Sequence, residues 1–405
     1  MVEPCRQPVF TIQRQGIYMK KIIIATAVSA TFAGAAHAQS SVTLYGIIDA
    51  GLTYVSNEIS DNSDVTPDGR LTGGKAMIGM TGGNLQNSRW GLSGVEDLGG
   101  GLKAVFRLES GFNIANGSLS KSNTLFNRQA YVGVSGDFGT VSLGRQYDSV
   151  VDYLSPLTAA GSWGGTYFGH LGDNDNTNAS ISVSNSVKFQ SANYSGFSFS
   201  GLYGFSNDSS FASNRAYSVG AGYKNGGLQF GTAYSQYQGL DQNQATGAIQ
   251  GGTFAASSIS GVQNQRTWGF GGSYTFGPAV IGAIFTQSRF QDRVSDISAR
   301  YNNYEINARY NVTPALGLGV AYTYTQALRA APGTTDSDTG AAHWNQLGVQ
   351  ADYSLSKRTD LYSEAVTQLG ANNGRGLNAA RINGVSMQST SRTQFLVTSG
   401  IRHRF

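Results

Sequence analysis

Beyond Gln39 the sequence keeps a rhythm that few folds can satisfy. Extended segments of period two follow one another, one face aliphatic or aromatic and the other small or polar. Leu44, Ile48 and Leu52 alternate with Tyr45, Asp49 and Thr53; Tyr304, Ile306 and Tyr310 with Glu305, Asn307 and Arg309; Leu347, Val349 and Tyr353 with Gln346, Gln350 and Asp352. Tight turns marked by Gly or Pro fall at 98–101, 136–139, 194–197, 225–227, 276–278, 312–316 and 355–360. Between them lie long polar stretches at 56–76, 113–127, 147–182, 206–215, 236–265, 287–301, 327–343 and 369–391. Seven turns and eight loops make fifteen connections and hence sixteen strands. An even number of antiparallel strands, with short connections at one end and long ones at the other, is the pattern of a transmembrane β-barrel.

Composition agrees. Charged residues are 13% of the chain, whereas a soluble domain carries about a quarter. With 54 Gly, 21 Tyr and 20 Phe against 7 Pro, the chain favours strands and turns. No apolar run beyond residue 38 reaches the roughly 18 residues a membrane helix requires. A barrel is then the remaining way to satisfy every backbone group in lipid. An exported β-sandwich or β-helix would expose more charge and would not need connections that alternate short and long.

The start is a separate matter. Residues 19–38, MKKIIIATAVSATFAGAAHA, have two lysines, an apolar run and an Ala-His-Ala end, which read as a signal peptide cleaved before Gln39 rather than as a membrane anchor. Residues 1–18 read as an extension upstream of the true initiator, leaving 39–405 as the barrel. Trimming removes four of 28 basic residues and one of 24 acidic ones, so 24 face 23 and the net charge is +1. That balance gives no reason to expect nucleic acid as a partner. Cys5, the single cysteine, is lost too, and with it any disulfide or thiolate chemistry.

At the other end the chain stops on TSGIRHRF. Phe395, Val397, Ser399, Ile401, His403 and Phe405 share one face, and Leu396, Thr398, Gly400, Arg402 and Arg404 the other. A barrel explains this ending, because the last strand must pair with the first, SVTLYGIIDAGL, to leave no open edge in hydrocarbon. Phe405 then belongs to the aromatic girdle on the turn side.

Several stretches resemble the general porins of Gram-negative bacteria, in particular the trimeric porins of β-proteobacteria. They are SSVTLYGIIDAGLTYVSN after the signal peptide, SRWGLSGVEDLGGGLKAVFRLESGF at 88–112, FNRQAYVGVSGDFGTVSLGRQYD at 126–148, NSVKFQSANYSGFSFSGLYGFSN at 185–207, and the terminal phenylalanine. The resemblance implies an all-β fold, a 16-stranded antiparallel barrel whose third external loop folds inward, assembled as a homotrimer in the outer membrane among lipid and lipopolysaccharide. It also implies passive diffusion of ions and small hydrophilic solutes and recognition of Phe405 by the barrel-assembly machinery; no metal cluster, phosphate loop or nucleotide motif in the sequence calls for a cofactor.

In such channels cations on the wall oppose acids on the inward loop. The resemblance carries wall positions over to Arg89 and Arg128; Lys188, in phase with Ser184 and Ser186, stands in for a third. Arg107 and Glu109 alternate with Phe106 and Leu108, share the inner face and are placed to form an ion pair. Arg145 is left open between the pore and a subunit contact. The long loop contributes Asp148 and Asp152 near its base and Asp173 and Asp175 on its return, but 153–169 contains no acid. Positive potential should therefore dominate the waist and give weak anion preference.

Two other classes are disfavoured by the residues. A barrel hydrolase would need a nucleophile motif beside one of the remaining histidines, His170, His343 and His403, and none is present. An adhesin with a plugged lumen would place bulky apolar residues on the inner face, where the strands instead show Gly, Ser, Thr, Asn and Gln.

Overall fold

The structure, a computed structural model, describes residues 41–59, 71–242, 244–250, 262–292, 297–330, 341–370 and 379–405. The upstream extension and the signal peptide lie outside the described residues, as do parts of five of the long loops.

One antiparallel sheet contains every strand of the described residues. In order these are β1 (Ser41–Glu58), β2 (Lys75–Gly82), β3 (Arg89–Gly99), β4 (Leu102–Gly111), β5 (Gln129–Gly136), β6 (Gly139–Gln146), β7 (Val183–Ser191), β8 (Phe197–Gly204) and β9 (Arg215–Asn225). They continue as β10 (Leu228–Gln238), β11 (Asn264–Phe276), β12 (Ala279–Asp292), β13 (Ile297–Asn311), β14 (Leu316–Ala330), β15 (Ala341–Ser354), β16 (Thr359–Gly370) and β17 (Thr393–Arg404). The seventeen segments make sixteen wall strands, because β2 and β3 are two halves of one. Ala50–Glu58 of β1 pairs with β2, and Ser41–Ile47 of β1 pairs with β3.

β17 closes the wall on β1, with registers running from Ile47 opposite Arg404 to Val55 opposite Leu396. Phe405 extends the ladder by exchanging backbone hydrogen bonds with Gly46, at 3.0 and 3.1 Å. Among the described residues each strand of the wall has a neighbour on both sides, which is the condition a sheet must meet in hydrocarbon. The unusual ending of the sequence is thus the last rung of a closed ladder.

The interruption of the second wall strand was not visible in the alternation. Residues 83–88, GNLQNS, leave the ladder, and the Asp49 carboxylate on β1 takes over, accepting from the backbone N–H groups of Leu85 and Gln86 at 2.8 Å each. Tyr362 donates to the other Asp49 oxygen at 2.6 Å, and the Asp49 N–H donates to Ser88 Oγ. A buried carboxylate with three donors thus replaces the lost strand pairing.

The two faces sort by chemistry as the period-two pattern requires. Ile78, Leu52 and Ile306 are 79, 69 and 61% exposed, while Asp49, Thr398 and Gln394 on the opposite face are fully buried. Tyr274, Phe276, Tyr310, Tyr353 and Phe405 ring the turn end of the outer face. Each is exposed, the position of an interfacial girdle. At the loop end the inner face departs from the polar expectation. Tyr237, Phe290, Ala299, Tyr301 and Trp344 form a buried apolar cluster there with Leu171 and Val183. The strands also run farther than the polar composition of 287–301 suggests, since Asp292 pairs with Ile297. Polar cross-strand pairs such as Gln287 with Asn302, at 2.8 Å, sustain that extension.

Candidate functional site

The segment from Tyr147 to Ser182 is built as a chain of short turns. Asp148 caps α1 (Ser149–Tyr153) by accepting from the Val151 N–H at 3.1 Å. Pro156 then opens a 3₁₀ turn at Ser155–Leu157, followed by a wide turn at Ala160–Gly164 and further 3₁₀ turns at Thr166–Phe168 and Leu171–Asp173. Val150, Leu154 and Leu157 pack on Ala233 of β10 and Ile284 of β12. Burying such side chains contributes about 1.5–3 kcal/mol each.

Small wall residues make room for this segment. A Cβ at Gly319 would lie 2.2 Å from the Trp163 ring, and one at Gly222 would lie 2.7 Å from Tyr153. Hydrogen bonds then fix the position. Gln350 of β15 donates to Trp163 O at 2.7 Å, and the Ala159 N–H donates to Glu305 of β13 at the same distance. On the opposite side the segment docks into the break of the second wall strand. The Thr166 N–H donates to Asn84 O and its hydroxyl to Gly83 O, both at 2.8 Å, while Tyr167 OH donates to Asn84 Oδ1 at 2.9 Å. The Asp49-held interruption is therefore the receiving site for residues 166 and 167.

His170 is the central tie. Its Nδ1 lies 2.6 Å from Asp175 Oδ2 and its Nε2 lies 3.1 Å from Glu305 Oε2, all three groups fully buried. Burial opposes a charge on this imidazole, but Asp175 and Glu305 overcome it and push its pKa up to about 10. Against its own burial, the imidazolium holds Asp175 down at about 2. Asp173 is pushed up to about 7, by burial first and the Asp175 charge second.

The charged residues expected at the waist fall into two groups. In one, Glu109 on β4 receives Arg128 at 2.7 Å and Arg89 at 3.7 Å, and also accepts from Tyr45 OH at 2.9 Å. The expected pairing of Arg107 with Glu109 is replaced: Arg107 lies 5.6 Å from the Tyr45 ring centroid, and Glu109 is taken by the other two arginines. Residues two apart on a strand share a face but diverge at their tips, whereas Arg128 and Arg89 approach Glu109 from neighbouring strand ends. Arg128 also stacks over Tyr147, at 5.7 Å. In the second group Lys188 meets Asp152 at 2.6 Å and donates to Tyr147 O at 2.9 Å.

Asp148 stands apart from both. It is fully buried, and besides capping α1 it accepts from Tyr237 OH at 2.5 Å. Its burial raises its pKa, and its charge is directed into the segment rather than toward a passing solute. Asp173 and Asp175 are likewise taken up by buried partners, Asp173 by the N–H groups of Asn178 and Ser180 and Asp175 by His170 and the Thr286 hydroxyl of β12. Arg145 donates to Asn127 O at 2.8 Å and to Ser184 Oγ at 2.6 Å, bracing the two loop bases. Of the charged residues expected at the waist, four cations, Arg89, Arg107, Arg128 and Lys188, thus stand against two carboxylates, Glu109 and Asp152, a surplus of two positive charges among these six groups, to which Arg145 beside Tyr147 adds another cation.

Sequence reasoning missed Asp49, His170 and Glu305 as determinants of this geometry. Asp49 carried a signal, as the one acid between small or neutral residues on the polar face of its strand, and Glu305 did so as an acid followed by Asn307 and Arg309 on the polar face of β13.

Comparison with known proteins gives a consistent result. The model of a Gram-negative porin family matches residues 25–373. An outer membrane porin of Bordetella pertussis is 31% identical over 373 residues, 85% of this chain and 93% of its own length. Outer membrane porin protein 32 of Delftia acidovorans is 32% identical over 396 residues, 96% of this chain and 100% of its own. Among solved structures, an anion-selective porin from Comamonas acidovorans superposes with a TM-score of 0.67 at 26% identity, covering 91% of this chain and 100% of the other. A closed sixteen-stranded wall with an apolar outer face and this kinship make the molecule a multi-pass outer-membrane β-barrel of the channel-forming kind. The chain belongs to the family of Gram-negative porins.

Proposed function

We propose that this porin is a homotrimeric general diffusion channel with weak anion preference, in which residues 147–182 form the narrowing and Arg89, Arg107, Arg128 and Lys188 supply its charge. The single observation that supports this reading is the surplus of two cations beside Glu109 and Asp152, together with the burial of Asp148, Asp173 and Asp175. At about 4 Å one unit charge contributes roughly 1 kcal/mol in bulk water and several times more where dielectric falls, so two unmatched cations suffice to bias ion entry. The name of the Comamonas acidovorans neighbour, an anion-selective porin, points the same way. Small hydrophilic anions are the solutes such a waist favours. Phe405, last rung of the closing ladder, is the residue the assembly machinery would read.

The test is planar-bilayer recording of the purified protein in a potassium chloride gradient. Conductance steps in threes and a zero-current potential on the chloride side are expected. A potential on the potassium side would overturn the selectivity, and single unitary steps would overturn the trimer.

A further inference from the structure

Between the narrowing and the turn end lies a second charged region that the waist does not include. A recess of about 560 Å³ is bounded by Trp163 of the loop on one side and by turn residues such as Ala315 and Ser356 on the other. Four cations line it, Arg309, Lys357, Arg402 and Arg404, against two acids, Asp352 and Asp360, which again leaves a surplus of two.

The cluster is constructed rather than incidental. Asp352 on β15 receives Arg309 from β13 at 3.3 Å and Arg402 from β17 at 3.8 Å. Asp360 on β16 receives Arg402 at 2.6 Å and Arg404 at 3.0 Å. To reach Asp352, the Arg309 side chain crosses β14 at Gly317, the residue directly opposite Asp352 in the ladder. A Cβ there would lie 2.6 Å from the guanidinium, so glycine at this position leaves the passage open. Lys357, on the β15–β16 turn, is exposed and makes no ion pair among the described residues.

We infer that Arg309, Lys357, Arg402 and Arg404 form a second anion-selecting station, in series with the waist and facing the turn-side mouth. The inference rests on the anion preference proposed above and extends it to the other end of the pore. A solute that has cleared the loop meets this recess before leaving on the turn side, which in outer-membrane barrels is the periplasmic side. Small inorganic anions and small carboxylates are the chemistry that arginine forks and a free ammonium hold. Two unmatched cations at a mouth raise local anion concentration over a Debye length, about 30 Å at 0.01 M salt but only about 3 Å at 1 M. The station therefore acts most when the dilute solution bathes the turn end.

The experiment uses trimers inserted in one orientation, with the potassium chloride gradient imposed in each direction in turn. Replacing Arg309→Gln, Lys357→Gln and Arg404→Gln together should lower the chloride-to-potassium permeability ratio by about twofold with the dilute side at the turn end, and change it much less in the reverse gradient. Arg309→Lys with Arg404→Lys should keep the wild-type ratio. Should the triple variant not form trimers, Lys357→Gln alone, on an exposed turn, should shift the ratio in the same direction by a smaller factor. An unchanged ratio in the turn-dilute gradient overturns the station. If the wild type shows no anion preference and the substitutions still shift the ratio toward potassium in that gradient alone, the waist reading fails and the station stands.

Discussion

His170 and Glu305, 135 positions apart in sequence, meet at 3.1 Å with no solvent exposure at either side chain, and through them the loop is tied to β13. Replacing His170 with Ala leaves the carboxylates of Asp175 and Glu305 facing each other without a cation. Removing one partner of a buried ion pair costs about 3–5 kcal/mol, here drawn from loop docking rather than from the wall. Single-channel records of His170→Ala should show larger conductance with frequent transitions between levels, while the trimer still migrates as a heat-modifiable band. Quiet wild-type conductance in this variant would show that the tie is dispensable.

The same tie predicts a pH response with a definite sign. The folded pKa of His170 is raised from 6.5 to about 10, so its contribution is fully present below about 6.5 and is lost as pH rises toward 10. Asp175, lowered from 3.8 to about 2, contributes above 3.8 and loses its contribution as pH falls through 2. Asp173, raised from 3.8 to about 7, acts oppositely and weakens docking as pH climbs across that window. Channel noise should therefore rise between pH 7 and 10 and disappear on return to neutral pH, a trend that His170→Gln should abolish.

Asp49 holds the break in the second wall strand by accepting two backbone N–H groups and the Tyr362 hydroxyl. Hydrogen bonds to a charged group contribute about 1.5–3 kcal/mol each, and Asn at position 49 can accept on only one oxygen. Asp49→Asn should lower the temperature at which the trimer dissociates in detergent by several degrees, and should also loosen residues 166 and 167, which dock on Gly83 and Asn84. Greater protease cleavage within 160–170 would register that coupling.

Deleting Phe405 removes two backbone hydrogen bonds to Gly46 and the final rung of closure. The amount of folded trimer in the outer membrane should fall severalfold, with export across the inner membrane unaffected, as immunoblots of heated and unheated samples would reveal. Equal trimer in both strains would make the terminal residue incidental.

Sixteen wall strands, the closing partner of the last strand and the direction of most side chains were legible because each depends on period two and on turn chemistry, both local properties. Alternation puts Arg89 and Lys188 on the polar faces of their strands, whereas Arg128 rests on the resemblance alone, because Ala130 and Val132 share its face. Their partners were not legible. Glu109 chooses Arg128 over Arg107 because of where two strand ends converge, and Asp148 turns inward because Tyr237, 89 positions later, supplies a donor. The break at 83–88 was hidden for a related reason: GNLQNS reads as a weak strand until Asp49 and the docked loop compete for its backbone. Relations between distant segments, and not the character of any one segment, decide these features.

The proposal that unmatched cations at the waist set ion preference is tested most directly by the zero-current potential of the Arg89→Gln, Arg128→Gln double variant beside the wild type, in a dilute potassium chloride gradient. Both substitutions preserve length and polarity while removing two positive charges, leaving Arg107 and Lys188 against Glu109 and Asp152, with no surplus among those groups. The account predicts a wild-type potential on the chloride side that moves to zero or toward potassium in the variant, with the difference shrinking as salt rises and the Debye length falls below about 8 Å. A wild-type potential on the potassium side, or a variant that keeps the wild-type value, would contradict it.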